Sequence, residues 1–230
     1  MENIKKNLAK IRTDIINAEK KYQRAQSSVT LLAISKAQAV EKIKAALAAG
    51  QKEFGESYLQ EAIIKINELK ELDITWHYVG RIQSKKAKLI APNFSWVESV
   101  ANYEIAELLD KHRPATMPPL NICLQVNISK EESKAGVLPE KILPLAQKII
   151  QLPRLKLRGL MTIPAPHEKF ERQFATFNEL ALEYRKLEQH GIAVDTLSMG
   201  MSDDFEAAIA AGATMIRIGA GIFGQRSNAL

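Results

Sequence analysis

The sequence predicts an α/β protein folded as a single (β/α)8 barrel, a TIM barrel, with one extra helix at its N-terminus. Three observations predict it. Eight short β-branched or apolar runs recur along the 230 residues, and amphipathic helical stretches fill the intervals between them. Strands separated by helices pair in parallel, because a parallel connection needs a crossover. Eight such units in a chain of this length read as one closed barrel spanning residues 1–230. A doubly wound open sheet is the runner-up, but it wants a glycine-rich turn after the first strand, where Lys36 stands instead.

The elements follow in order. Residues 2–24 place Ile4, Leu8, Ile11 and Ile15 on one helical face, and we expect this extra helix to close the bottom of the barrel rather than pack on a second subunit. The first strand is "TLLAIS" (30–35), which runs directly into Lys36 and then a helical pattern. "EFGE" (53–56), "TWHYVG" (75–80) and "SWVESV" (95–100) supply the next three strands. In "ANYEIAELLDKHR", Ile105, Leu108 and Leu109 at i, i+3, i+4 lay an apolar stripe against a sheet. "NICLQVNI" (121–128) is the fifth strand, and Pro139 opens a helix over 139–151. "LKLRGLMTI" (155–163) precedes a long helix at 168–190 carrying Phe170, Phe174, Phe177, Leu180, Tyr184 and Leu187, which Gly191 closes. "VDTLSMG" (194–200) and "TMIRIG" (214–219) complete the eight.

Bulk properties narrow the function class. With 46% hydrophobic and 25% charged residues the chain has the balance of a soluble globular protein. Its apolar runs fall short of a membrane span, and its charged N-terminus lacks the apolar stretch of a secretion signal, so a cytoplasmic address is expected. The single Cys123 reads as a small buried apolar residue in a reducing compartment. A net charge of +6 raises RNA binding as an alternative. The basic residues, however, are spread over "ENIKKNLAK", "RIQSKKAK" and "PRLKLRG" with no aromatic-studded stripe, and no specific nucleic-acid partner is expected.

Barrel active sites are built at the C-terminal ends of the strands. Those ends carry Lys36, Glu56 with Ser57, Gly80, Asn127, Thr162, Gly200 to Ser202, and Arg217 to Gly221. A lysine there can pair with an anion or, as a neutral amine, form a Schiff base with a carbonyl. After strands seven and eight, Gly200, Ser202, Gly219, Gly221 and Gly224 either make tight turns with a serine cap or let backbone N–H groups approach a phosphate. Pyridoxal 5′-phosphate (PLP) fits both halves, with its aldehyde on Lys36 and its phosphate over Ser202, Gly219 and Ala220. Arg217, two residues before Gly219, faces the same way and could reach the pyridine nitrogen. A guanidinium there discourages protonation of that nitrogen and so makes the ring a poor carbanion sink.

The blocks "LLAISK", "FGESYLQE", "WHYVGRIQSKKAK", "NISKEESKAGV", "RGLMTIP" and "LSMGMSDDFEAAIAAGATMIRIGAGIFGQR" together resemble the YggS/PROSC family of PLP-binding, PLP-homeostasis proteins, over about residues 28–226. Members of that family resemble the N-terminal barrel of alanine racemase. The resemblance implies PLP on Lys36, Arg217 facing the pyridine nitrogen, Ser202, Gly219 and Ala220 on the phosphate, and Gly200, Met201 and Ser57 beside them. Three departures imply weaker binding without its loss: Ser57 stands for the usual Asn, Ala220 for the usual Thr, and the loop from Gly80 to Lys86 is more basic than usual.

A racemase needs an acid/base group on each face of the substrate α-carbon. In alanine racemases the second group is a tyrosine from a further domain, and this sequence stops at Leu230. Tyr58 and Tyr78 are the local substitutes, and their sequence positions do not put them at the mouth. The expectation is a carrier acting in PLP homeostasis, with a PLP-dependent racemase as the alternative. Apo PLP-dependent enzymes are the expected protein partners of a monomeric chain. Lys85, Lys86 and Lys134 are further amines that could receive the cofactor, against the plainer reading of exposed charges. The four histidines have no metal-ligand spacing, and His77 reads as a hydrogen-bonded strand residue.

Overall fold

A computed structural model describes residues 2–131 and 134–224. Eight parallel strands close into a barrel in sequence order: β1 (Thr30–Ile34), β2 (Glu53–Glu56), β3 (Thr75–Tyr78), β4 (Trp96–Val100), β5 (Leu120–Gln125), β6 (Leu155–Met161), β7 (Thr196–Ser198) and β8 (Met215–Ile218). Closure is made by β1 and β8, paired from Thr30 opposite Met215 to Ala33 opposite Ile218. All eight runs read from the sequence form strands, and the helices between them are α2 (Val40–Ala48), α3 (Leu59–Glu68), α4 (Ala87–Asn93), α5 (Tyr103–His112), α6 (Ile142–Ile149), α7 (Phe170–Gln189) and α8 (Phe205–Ala210). The expected 139–151 helix is shorter, because Pro139 opens a 3-10 turn (Pro139–Lys141) that feeds α6. A four-residue helix, α9 (Ala220–Phe223), follows β8.

The core lies between the sheet's outer face and the helices. Leu31, Ala33, Phe54, Val97, Ile122, Leu124, Leu157 and Ile218 are buried there under helical residues such as Ile43, Ala62, Ile90, Leu109 and Phe177. At about 1.5–3 kcal/mol for each large side chain taken from water, this layer dominates stability. Cys123 is fully buried, and burial pushes its thiol well up from the usual range, so it behaves as an inert core residue.

The N-terminal helix, α1 (Glu2–Lys21), buries the expected Ile4, Leu8, Ile11 and Ile15, but it does not close the bottom of the barrel. It runs along the wall. Asn7 Nδ2 donates to the Ile222 carbonyl in α9 at 2.9 Å, near the C-terminal mouth. At its other end Glu19 accepts from the Ser27 and Val29 N–H groups at 3.0 Å, just before β1. Between these, Arg12 Nη1 donates to the Ala49 carbonyl after α2 at 2.8 Å. With α2 and α8 as its flanking helices, α1 covers the seam between β8 and β1. The four residues of α9 are too few to do so, which is the physical reason for the altered position.

Candidate cofactor site at the barrel mouth

At the C-terminal end of the strands a cavity of about 290 Å³ is lined by Ile34, Lys36, Ser57, Val79, Ile163, Met201, Ser202, Asp203, Arg217, Gly219 and Ala220. Seven of the eight residues singled out as cofactor contacts therefore meet in one place. Lys36 is half-buried in the turn after β1. Its position follows from strand alternation: Leu32 pairs with Arg217 across the closing seam, and residues 32, 34 and 36 share the inner face.

Arg217 sits 4% exposed at the floor of the cavity, and its guanidinium is held before any ligand is considered. Nη1 donates to Ser198 Oγ and Nη2 to the Thr162 carbonyl, both at 2.7 Å. Ser198 Oγ in turn donates to Glu98 Oε2 at 2.6 Å, and Glu98 Oε1 is 2.8 Å from His77 Nδ1, whose Nε2 is 2.8 Å from Glu53 Oε2. β4 and β7 are not neighbours, so the Glu98–Ser198 bond crosses the barrel interior. A polar chain thus runs through the lumen from the mouth to the bottom. Burial lowers the Arg217 guanidinium below its usual value while Glu98 opposes that, and the group remains a cation. Burial alone would raise Glu98, but hydrogen bonding and charge from His77, with Arg217 behind, hold it below the usual carboxylate range. Burial would lower His77, yet the carboxylates of Glu53 and Glu98 outweigh it and raise its affinity for a proton. His77 is the hydrogen-bonded strand residue expected.

Ser202 stands beside the first turn of α9: a Cβ built on Gly221 would lie 3.6 Å from Ser202 Oγ. The intrahelical bonds of α9 begin with Ile222 and Phe223 donating to the Gly219 carbonyl. The amides of Ala220 and Gly221 precede those bonds and have no acceptor within the helix. The helix-cap alternative for Ser202 does not hold, because Asp204, not Ser202, precedes α8, and Asp204 Oδ1 accepts from the Met201 N–H at 2.6 Å.

Gly200 does not line the cavity. It takes a left-handed φ of 95°, a Cβ on it would come within 2.6 Å of the Ala208 methyl, and its carbonyl accepts from the Arg217 N–H at 3.0 Å. Its part is to turn the chain after β7. Asn127 lies beyond the end of β5 and folds its loop by donating to the carbonyls of Glu131 (2.7 Å) and Lys134 (3.2 Å). Tyr78 is buried against Phe94, with its hydroxyl toward the carbonyls of Arg81 (3.3 Å) and Ser57 (3.5 Å). Tyr58 is half-exposed outside the lining. Neither tyrosine lines the cavity that Lys36 borders. Lys85 and Lys86 lie in the 3-10 turn Ser84–Lys86 outside this cavity, and Lys134 pairs with Glu131 at 2.8 Å. Sequence reasoning missed Ile34, Val79, Ile163 and Asp203; Ile34 carried a usable signal, being two residues before Lys36 on the same face. Gln225 and Arg226 of the last motif lie outside the described residues.

The family model for the alanine racemase N-terminal domain matches residues 4–227. Similar curated proteins include the pyridoxal phosphate homeostasis proteins of Escherichia coli K12 (45% identical, 98% of each chain covered) and Pseudomonas aeruginosa (48% identical, 98% of this chain and 97% of that one). Among solved structures, PipY of Synechococcus elongatus with PLP bound superposes with a TM-score of 0.84 at 35% identity, covering 96% of this chain and all of that one. Alanine racemase of Clostridium difficile 630 is similar in fold, with a TM-score of 0.72 at 17% identity, this chain covering 59% of it.

Proposed function

The chain belongs to the family of pyridoxal phosphate homeostasis proteins, built on the alanine racemase N-terminal domain, and from that premise we propose that it holds PLP covalently through Lys36 and buffers or delivers it inside the cell. The carrying observation is the convergence of an amine, a guanidinium, a hydroxyl and a glycine-rich helix start around one cavity. This donor set matches the cofactor's three recognisable parts. The bound group supplies an aldehyde that condenses with a primary amine and releases water, together with a pyridine ring that can accept electrons.

The protein's own residues do the rest. Lys36 provides the nitrogen. Arg217, braced by Ser198 and Thr162, would present fixed positive charge to the pyridine nitrogen and disfavour its protonation. Ser202 Oγ and the amides at Gly219 and Ala220 take the phosphate, where preorganised donors favour an anion. Met201, Ile163 and Val79 would offer apolar surface to the ring, and Ser57, which stands where the family usually has Asn, would border it. Ala220 leaves the phosphate its backbone donor without the hydroxyl of the common Thr.

A carrier is supported over a racemase by the positions of the tyrosines. Tyr78 is turned into the wall and Tyr58 lies outside the cavity, so neither offers an acid/base group opposite Lys36. We place the protein in the cytoplasm as a monomer that exchanges PLP with solvent or with apo PLP-dependent enzymes. No helix among the described residues is long and apolar enough to cross a membrane.

The test is borohydride reduction of PLP-loaded protein followed by peptide mass mapping. Pyridoxyl label on the Lys36 peptide is expected, as is a visible absorption band that Lys36→Ala abolishes. Label confined to other lysines, or L- to D-alanine conversion exceeding that of Lys36→Ala, would overturn the reading.

A further inference from the structure

The turn that carries Lys36 has an unusual backbone. Ala37 adopts a left-handed φ of 56°, a conformation in which the Cβ of an L-residue crowds the following carbonyl oxygen. Something has to hold it there. The Ala37 N–H donates to Glu61 Oε1 at 2.7 Å, from the first turn of α3. On the other side of Lys36, the Ser35 carbonyl accepts from Lys65 Nζ at 2.8 Å and from the Gln38 N–H at 3.1 Å. Lys65 is 4% exposed and also donates to Glu56 Oε1 at 2.8 Å and to Glu61. Ser35 Oγ donates to the same Glu56 oxygen at 2.6 Å. The backbone on both sides of Lys36 is therefore tied to one buried ionic cluster beneath α3, on the opposite side of the strand from the cavity.

We propose that Glu61 and Lys65 are positioning residues for Lys36: together with Glu56 they clamp residues 35–37 and hold the strained turn that aims the amine into the cavity. A lysine side chain has four rotatable bonds, and fixing its backbone removes part of the entropy that attachment would otherwise cost. Lys65 has the two carboxylate partners that a lysine this deep requires, Glu56 Oε1 and Glu61 Oε1, while Glu56 Oε2 is buried without a hydrogen-bond partner among the described residues. The i,i+4 spacing of Glu61 and Lys65 lets one helix face grip both sides of the turn. Two lysines thus divide the work, one reaching inward for the ligand and one reaching from behind to fix the first.

The inference rests on attachment at Lys36, and the experiment separates the two. Glu61 is the variant of choice because its side chain is 31% exposed, so losing it leaves the buried Lys65–Glu56 pair intact. In the protein without PLP, amide hydrogen exchange at residues 35–38 should quicken at least about tenfold in Glu61→Ala and stay slow in Glu61→Gln, whose amide oxygen can still accept. In PLP titrations followed by absorbance, Glu61→Ala should bind about five- to tenfold more weakly, Glu61→Gln nearer to the unmodified protein. Adding Ala37→Gly to Glu61→Ala should recover most of the loss, because glycine adopts positive φ without strain. Unchanged exchange or unchanged affinity in Glu61→Ala overturns the clamp, as does a double variant no better than the single one. An unmodified protein with no visible band overturns the attachment itself, a result the exchange measurement does not depend on.

Discussion

Gly80, just beyond β3, packs against the chain just beyond β2: a Cβ there would stand 2.3 Å from the Ser57 carbonyl oxygen, a backbone atom that cannot move aside cheaply. Gly80→Ala should therefore destabilise the protein by about 1–3 kcal/mol in urea unfolding and push Ser57 against the cofactor cavity. The same scale explains why Arg217 is suited to its place. Two of its five N–H donors are committed to Ser198 and Thr162, so the guanidinium cannot swing away from the cavity floor. The residue types at the strand ends were legible in the sequence, because a parallel barrel gathers those ends at one mouth. Gly200 was harder to assign: turn glycines and anion-binding glycines look alike until the neighbours, here Ala208 and Phe205, are in place.

Among the elements, β3, β4, β7 and β8 are joined across the lumen by His77, Glu98, Ser198 and Arg217, which makes part of the sheet's stability depend on pH. The folded state raises the pKa of His77, so its contribution is complete below the unfolded value near 6.5 and fades as pH climbs through the higher folded value. The folded state lowers Glu98, so its contribution is complete above the unfolded value near 4.3 and is lost as pH falls through the lower folded one. The pair supports the barrel most between those two unfolded values. His77→Gln should flatten the alkaline side: melting temperatures of the variant and the parent, well separated near pH 6, should converge toward pH 9. Equal gaps at both pH values would remove His77 from this account. The strand pattern "TWHYVG" placed His77 on β3 but could not name its partners, which arrive from β2 and β4.

For the whole molecule, α1 supplies the cover that the sheet's closing seam lacks. Leu8 is fully buried at the centre of that contact. Leu8→Ala should cost about 2–5 kcal/mol by urea denaturation, as much as a core substitution within the eight repeating units. A cost below 1 kcal/mol would mean that the barrel closes without its first helix. The helix itself and its apolar face were readable from periodicity, whereas its place on the wall was not, because an amphipathic stripe specifies that a face is buried and not against what.

The linear order of residues suffices to specify the alternation of strand and helix, hence the barrel, and the amine, guanidinium and glycines that its strand ends carry. These follow from local periodicity and from topology, which a linear chain encodes directly. The folded molecule alone reveals which of those residues share the cavity, that Tyr78 lies outside it, that α1 flanks the β8–β1 seam, and that Glu61 and Lys65 bond to the turn bearing Lys36. Each of these depends on side chains from separate segments converging after the sheet has closed, and spacing along the chain carries no record of that distance in space.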